Sequence, residues 1–577
     1  MLNFLRKIHF RVTISAIIGG VLLLSNINIS FSQEVWTSNV ENTIIFSSPR
    51  LHELTGDSIL DVVVGDGIED SIRGNIRAFD GLNGDPLWAV EVDGDIFSSA
   101  LFYDVNADGV DDIIMGGRDR QLHAVNGSTG NLIWSFDTTQ SSPPGIGWMQ
   151  FYNAELVPDQ DSDGLMDIVL TNGGNPNAMA GEGPRFPGWL LLVSSQDGTL
   201  LNQAMVPDSA ETYCSLVVAD LENDGTIDIV FGTGGETYPG GLWRTTLDDL
   251  LLNDLSNAIA FAENDTHGYV APPVLADINR DNILDVVAAD AEGRIAAYNG
   301  LTNQLMWDFQ LPITECYSTP AIGQFTGSDD LDVYANIGKG VWPFFNKYYQ
   351  VMIDGETGIP VYLDSIGHQF SSPLSYDFDN DGFDEALLSS NATSIFQPNT
   401  YSLFLIDFND QSMSTIHQQT NSVSGASTPW IGDLDENSIL DIVLAVNTGA
   451  SMFSYSLKRV STAFSMIEPM LWGSYHGSNY NGVYGFIENT PITILESSAS
   501  ENNVTLIPNP STGLFEIAHP KGLKHVSIFN GAGQLVFTNR TNSTKKTIDL
   551  RHLARGVYFL EMQDYELILH HQKIVIQ

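Results

Sequence analysis

Basic residues and cysteines are scarce in this 577-residue chain, and each scarcity removes a class of function. Only 24 Lys and Arg stand against 71 Asp and Glu, a formal charge of −47. Nucleic acid and anionic membrane surfaces need a basic footprint and are therefore poor partners, whereas cations are good ones. Two cysteines, Cys214 and Cys316, cannot constitute a disulfide framework. They are expected as partly buried thiols, with a bridge between them as the alternative. Long apolar runs are missing as well. The stretch Val12–Leu24 follows a basic start (Arg6, Lys7, Arg11) and precedes a polar tract with Ser30 and Ser32. This is the pattern of a cleaved signal peptide over 1–32, and it is short for a spanning helix. An uncleaved anchor is the alternative. No HExxH or nucleophile elbow occurs, and the 12 histidines are scattered.

What is present is a repeat. "DVNADGVDDIIM" at 104 recurs as "DQDSDGLMDIVL" (159), "DLENDGTIDIVF" (220), "DINRDNILDVVA" (277), "DFDNDGFDEALL" (377) and "DLDENSILDIVL" (433). Worn copies stand at 53 and 324, so the spacing averages about 54 residues. Small residues precede each loop ("FSSPRL", "YSTPAI"), a β-branched run follows it, and an alternating run then ends in a turn such as "GLNGDPLW". Short runs punctuated by Gly, Asn and Asp read as four strands per unit, which predicts an all-β, eight-bladed propeller over 33–490. The N-terminal "EVWTSNV" matches "PLWAVEV" at 86, so this strand is expected to complete the eighth blade and remove two free edges.

In each loop positions 1, 3, 5 and 9 carry oxygen-bearing side chains, and position 6 is usually Gly. Such alternation lets a curved backbone point several oxygens inward, which suits calcium, a hard cation taking six to eight oxygens at ~2.4 Å. The candidate ligands are Asp104, Asn106, Asp108 and Asp112; Asp159, Asp161, Asp163 and Asp167; Asp220, Glu222, Asp224 and Asp228. Further sets are Asp277, Asn279, Asp281 and Asp285; Asp377, Asp379, Asp381 and Glu385; Asp433, Asp435, Asn437 and Asp441. An EF-hand is excluded because position 12 is apolar (Met115, Leu170, Phe231, Ala288, Leu444). Simple Asp-Gly turns with solvated charge are the structural alternative. The loop at 324 (Gln324, Thr326, Ser328, Asp332) is expected empty, and the loop at 53 (Glu53, Thr55, Asp57, Asp61) is left open.

These loops with their "DIVFGTGG"-type strands resemble the FG-GAP (integrin-α type) repeat and the VCBS repeat. The turn-plus-Trp pattern at Trp88, Trp134 and Trp307 resembles the docking motif of quinoprotein (PQQ-like) propellers. The resemblance covers roughly 34–460 and implies calcium held at a blade's hairpin loop in a structural role; integrin-like propellers have seven blades and the quinoprotein kind eight. After a polar linker (491–503), "PNPSTG", "GVYFLEM" and "KIVIQ" within 504–577 resemble the type A sorting domain of type IX secretion. That resemblance implies a small β-sandwich, partnership with the type IX machinery, and export across a Gram-negative outer membrane, with release or surface attachment.

Two functions are consistent with this reading. One is a secreted or cell-surface binding and adhesion module for a protein or glycan, its ligand platform drawn from Trp189, Tyr238, Trp243, Trp342, Phe344, Phe345 and Tyr349, on the side opposite the acidic loops. Packing between blades is the alternative role for these aromatics. The other function is a propeller enzyme, a polysaccharide lyase or quinoprotein dehydrogenase. The quinoprotein resemblance implies adjacent cysteines, which are absent here, and His476 stands alone. No catalytic residue is assigned.

Overall fold

The computed structural model describes residues 32–485 and 505–576, apart from 69–72, 119, 138–151, 174–182, 184, 327–330, 343, 394–398, 450–452, 468, 508–510, 512, 530–534, 552, 554 and 564–568. The expected leader up to residue 31, the expected linker and Ser328 lie outside these residues; Ser32, counted with the leader, opens a strand instead. The chain divides into two compact units, 1–489 and 490–577.

The first unit is a β-propeller built from antiparallel four-strand meanders. Six lie in separate sheets, beginning with Arg50–His52, Asp61–Gly67, Gly74–Phe79 and Pro86–Val92. Two more, from Leu374 and from Trp430 onward, are joined into one sheet by Ser422 and Val423 pairing with Thr448 and Asn447. The second strand of each meander is the β-branched run read from the sequence. Asp61–Gly67, Asp167–Asn172 and Asp285–Ala289 are buried at every position. A strand covered on both faces has no polar side to show, which is why it reads as a continuous apolar run. Outer strands such as Pro86–Val92 mix exposed and covered positions.

The last meander contributes only three strands of its own, and Ser32–Glu41 supplies the fourth by pairing with Ser454–Ser465, Trp36 opposite Arg459. The expected N-terminal partner is therefore present. Tryptophans then lock successive meanders. The indole N–H groups of Trp36, Trp88, Trp134 and Trp307 donate to the carbonyls of Gly81, Gly127, Ser195 and Gly355 in the next meander, at 2.8, 2.7, 2.8 and 2.6 Å. Each ring lies on a turn glycine with positive φ. A Cβ at Gly130 would stand 2.6 Å from Trp88, and one at Gly358 2.4 Å from Trp307, so only glycine admits the indole.

A second, inner lock joins the residues just before the first strands. The backbone N–H of Thr319 donates to Ser372 Oγ, Ser372 to Thr428 Oγ1, Thr428 to Ser48 Oγ, Ser48 to Ser99 Oγ, Ser99 to Asn153 Oδ1, and Asn153 to Ser215 Oγ. The chain of bonds passes from the last repeat to the first. It stops at "APPV", where Pro272 occupies the equivalent place and has neither donor nor side-chain acceptor. Thr319 Oγ1 accordingly takes no backbone N–H from a preceding seam residue. The small residues ahead of each loop are thus the ring's inner seam.

The segment after the last repeat, unassigned by sequence, fills the axis. Its backbone meets first strands of four different meanders. Leu275 N–H donates to Gly482 O, Ser375 N–H to Trp472 O, and Ile431 N–H to Gly473 O. Leu51 N–H bonds the Tyr480 hydroxyl. Arg50, fully buried, donates to the carbonyls of Tyr480 and Ala100. Cys214 and Cys316 are free, buried thiols rather than a bridge, pushed up by burial to about 12 and about 11.

The second unit is an antiparallel sheet of five strands, Thr505–Ile507, Leu514–Phe529, Leu535–Asp549, Gly556–Gln563 and Leu569–Ile576. Phe515, Ile517, Val526, Ile528, Leu560 and Met562 are among its core residues. Among the described residues no helix is long and apolar enough to cross a membrane.

Candidate functional site

Two regions carry chemistry, at opposite ends of the meander. The acidic loops join first and second strands. Their first aspartate organises the turn: Asp104 accepts N–H bonds from Asp108 (3.1 Å) and Gly109 (2.9 Å), and Asp377 does the same with Asp381 and Gly382. Positions 4 and 6 both have positive φ, as at Ala107 and Gly109 or Asn380 and Gly382. The ninth-position acid is buried and its inner oxygen takes the N–H of position 2, as in Val105 to Asp112 (3.0 Å) and Phe378 to Glu385 (2.7 Å). Burial pushes the carboxyls of Asp112, Asp167 and Asp285 up to about 6 and Glu385 to about 9.

Six loops that look alike in sequence then separate into three kinds. In the loops at 159 and 377 the carboxylates of Asp159, Asp161 and Asp167, and of Asp377, Asp379, Asp381 and Glu385, bring oxygens within 4.8 Å of one another. Asp167 Oδ1 and Glu385 Oε1 are buried there without any hydrogen-bond partner. Such an oxygen among other carboxylates suits a cation or a proton, and the loop at 433 has two of its own, Asp435 Oδ1 and Asp441 Oδ1. In the loops at 104 and 277 amides fill part of the space: Asn106 and Asn126 donate to Asp112, and Asn299 donates to Asp285. In the loops at 220 and 433 an arginine stands where the sequence led us to expect an open cage. Arg244 bonds Asp228 (2.8 Å) and Glu222, and Arg459 bonds Asp435 (2.6 Å) and Asp441 (2.7 Å). The worn loop at 53 keeps the turn, with Glu53 accepting from Thr55 N–H and Asp61 from Leu54 and Gly81 N–H. At 324, Thr326 donates to Asp332.

The second region is an aromatic collar at the other mouth of the axis. One half-buried aromatic precedes the inner seam in most repeats: Phe46, Phe97, Tyr213, Tyr317 and Phe370. Phe46 stacks on Phe97, and Tyr317 on Phe370, each with centroids 5.3 Å apart. Trp342 closes over Phe370 (5.5 Å) and Tyr317 (6.1 Å), and Phe345 joins them. Charged groups alternate with the rings. Glu315 accepts from the Tyr317 hydroxyl (2.7 Å) and from Trp342 N–H (2.9 Å). Arg185 bonds Glu211 (3.2 Å) and the Tyr213 hydroxyl, and its guanidinium lies 5.4 Å from the Tyr238 ring. Burial raises the carboxyls of Glu211 and Glu315.

Of the seven aromatics proposed from sequence, Trp342, Phe345 and Tyr238 reach this collar. Trp243 does not, because it is buried in the core and donates to Thr233 Oγ1. Trp189 packs against the core between two meanders. Tyr349 is partly buried against another, with Lys347 over its ring at 4.8 Å. Phe344 is 82% exposed. His476 is buried on the axis beside Tyr475, and burial lowers it to about 3. Sequence reading missed Tyr317, Phe370, Glu315 and Glu211. The signal was there, since the residue ahead of "SS" or "ST" is aromatic in repeat after repeat.

Residues 505–577 match the family described as a secretion system C-terminal sorting domain. The tail marks the chain for type IX export to the cell surface or beyond. No curated protein matches the chain. Among solved structures, it is similar to the quinohemoprotein alcohol dehydrogenase ADHIIG from Pseudomonas putida HK5 at 10% identity and a TM-score of 0.50, over 77% of this chain and 78% of that one. BamB from Moraxella catarrhalis follows at 8% identity and a TM-score of 0.42, over 74% and 99%. A europium-containing methanol dehydrogenase follows at 11% and 0.47, over 75% and 94%. At such identities the first of these likenesses speaks to the fold alone.

Proposed function

We propose that the chain is an exported, eight-bladed, calcium-stabilised adhesion module of the FG-GAP/VCBS kind that binds a glycan at its axial collar. The carrying observation is the recurrence of a half-buried aromatic in five of the eight repeats (Phe46, Phe97, Tyr213, Tyr317 and Phe370) around a single mouth, interleaved with Glu211, Glu315 and Arg185. Flat aromatic faces accept the apolar face of a sugar ring, and fixed carboxylates and a guanidinium accept and donate to its hydroxyls. Calcium, in this reading, is held by Asp159, Asp161, Asp163 and Asp167 and by Asp377, Asp379, Asp381 and Glu385. The loops at 104 and 277 would add sites once Asn106 and Asn279 turn their amide oxygens inward. The ion neutralises the cage and raises the stability of the folded ring by mass action.

The test is a glycan and surface-protein array probed with the mature chain, with and without calcium. A hit should weaken at least tenfold in a Tyr317→Ala, Phe370→Ala double variant whose melting temperature in calcium is unchanged. Binding that survives both substitutions would remove the collar from the account. A catalytic reading is favoured by one observation, the Arg185–Glu211–Tyr213 constellation with its burial-shifted carboxyl. Unsaturated product from a panel of uronic-acid polysaccharides would support a lyase there. What weighs against a quinone cofactor is that Trp472 and His476 are buried on the axis, with Tyr475 beside them.

A further inference from the structure

We infer that Arg244 and Arg459 are resident cations that take the place of calcium in the loops at 220 and 433, so that these two junctions are held together without metal. The inference deepens the calcium reading above and rests on it. In every meander the residue opposite the position two beyond the ninth-position acid is fixed by strand register. It is Ala78, Ala124, Leu192, Ala297, Met352 and Leu405 in six repeats, and Arg244 (opposite Val230) and Arg459 (opposite Val443) in the other two. From that place a guanidinium reaches the third and ninth positions of its own loop and nothing shorter does. Arg244 Nε meets Asp228 Oδ1 at 2.8 Å while its Nη2 meets Glu222; Arg459 Nη2 spans Asp435 Oδ2 and Asp441 Oδ2 at 2.6 and 2.7 Å. The third and ninth carboxylates are those a calcium ion would need between them, and a fixed positive charge in that space repels a second cation.

The same side chains continue across the junction. Arg244 Nη1 donates to Gly300 O (2.8 Å) and Asn303 Oδ1 (3.2 Å), and Arg459 Nη1 to Gly81 O (3.4 Å), both in the next repeat. Gly300 O is the carbonyl that an indole takes elsewhere, and here the position matching Trp88 is Ile259. One arginine therefore does the work of an ion and of a docking tryptophan at once. Glu222, Asp228, Asp435 and Asp441 then belong to ion pairs rather than to metal sites.

Calcium bound per mature chain, measured by equilibrium dialysis at millimolar calcium followed by elemental analysis, tests this. The wild-type chain is expected to hold no ion at the loops at 220 and 433, giving up to five ions, the loop at 53 included, rather than seven. Arg244→Ala and Arg459→Ala are each expected to add one. A wild-type count of six or seven overturns the inference and leaves the calcium reading intact. An unchanged count in both variants, with the wild type binding calcium and the variants still melting cooperatively, overturns it as well. A wild-type chain that binds none overturns the calcium reading itself and the inference with it. The wild-type count needs no substitution, so the test stands even where a variant fails to fold.

Discussion

Replacing Asp167 by Asn should stabilise the protein in chelator and destabilise it in calcium. Asp167 is fully buried; Gln160 N–H donates to Oδ2 at 2.6 Å and Oδ1 has no partner. Burial lifts its carboxyl from 3.8 to about 6, a shift worth at most about 3 kcal/mol and less once solvent screening is allowed for. Since the folded pKa is the raised one, this group favours folding below its unfolded value, and that contribution is lost as pH climbs through about 6. Near pH 8 without metal the folded ring thus bears the full cost of a charged, unpaired carboxylate. Asparagine keeps the shape, accepts from Gln160 and donates toward Asp159 or Asp161, so the variant avoids that cost. With metal the sign inverts. A site of Kd ~10⁻⁴ M in ~10 mM calcium contributes about 2.7 kcal/mol, most of which the variant forgoes. At roughly 2 cal/mol/K of unfolding entropy per residue, either change moves the melting temperature of so large a ring by at most about 3 °C. Thermal melts of both proteins in chelator and in calcium, near pH 5 and pH 8, provide the assay. The chelator difference should shrink at the lower pH. A variant that melts lower by the same amount in both media would show Asp167 to be only a hydrogen-bond acceptor, and the cage argument would fall.

Other expectations follow from the junctions. Trp307→Phe removes the 2.6 Å bond to Gly355 O and should cost ~1–2 kcal/mol by chemical denaturation, with a larger loss for Trp307→Ala. Deleting residues 32–41 exposes the edge of Ser454–Ser465, and the shortened chain should lose its single cooperative melt or pair edge to edge, as light scattering would reveal.

The repeat and its all-β character were legible because three local devices coincide: the acidic turn, the β-branched run, and the turn glycine under a tryptophan. Each is a short-range pattern. The candidate site was legible only in part. Arg244 and Ala124 occupy equivalent register positions, yet in a linear reading Arg244 is one charge in "GLWRTT" with nothing to mark its reach into Glu222 and Asp228. Trp243 lies among exposed-looking Gly and Pro but turns inward, because strand alternation places it against Leu190 and Phe231 in the core. Tyr317 and Phe370 adjoin the small residues of the seam, so that in sequence the collar reads as part of that seam. The axial segment has no periodicity at all. Its order comes from the strands it touches.

The first strand of the ring and its partner are separated by almost the whole unit: Trp36 faces Arg459. Synthesis makes the former at the outset and the latter near the close, so no partial chain can finish its circle. The nascent molecule must carry an unmet edge until its last meander has emerged, and closure then comes as one late, long-range event. Whatever protein escorts the chain before that moment has to shield that edge, and any premature cut within residues 32–41 would leave a disc that can never shut.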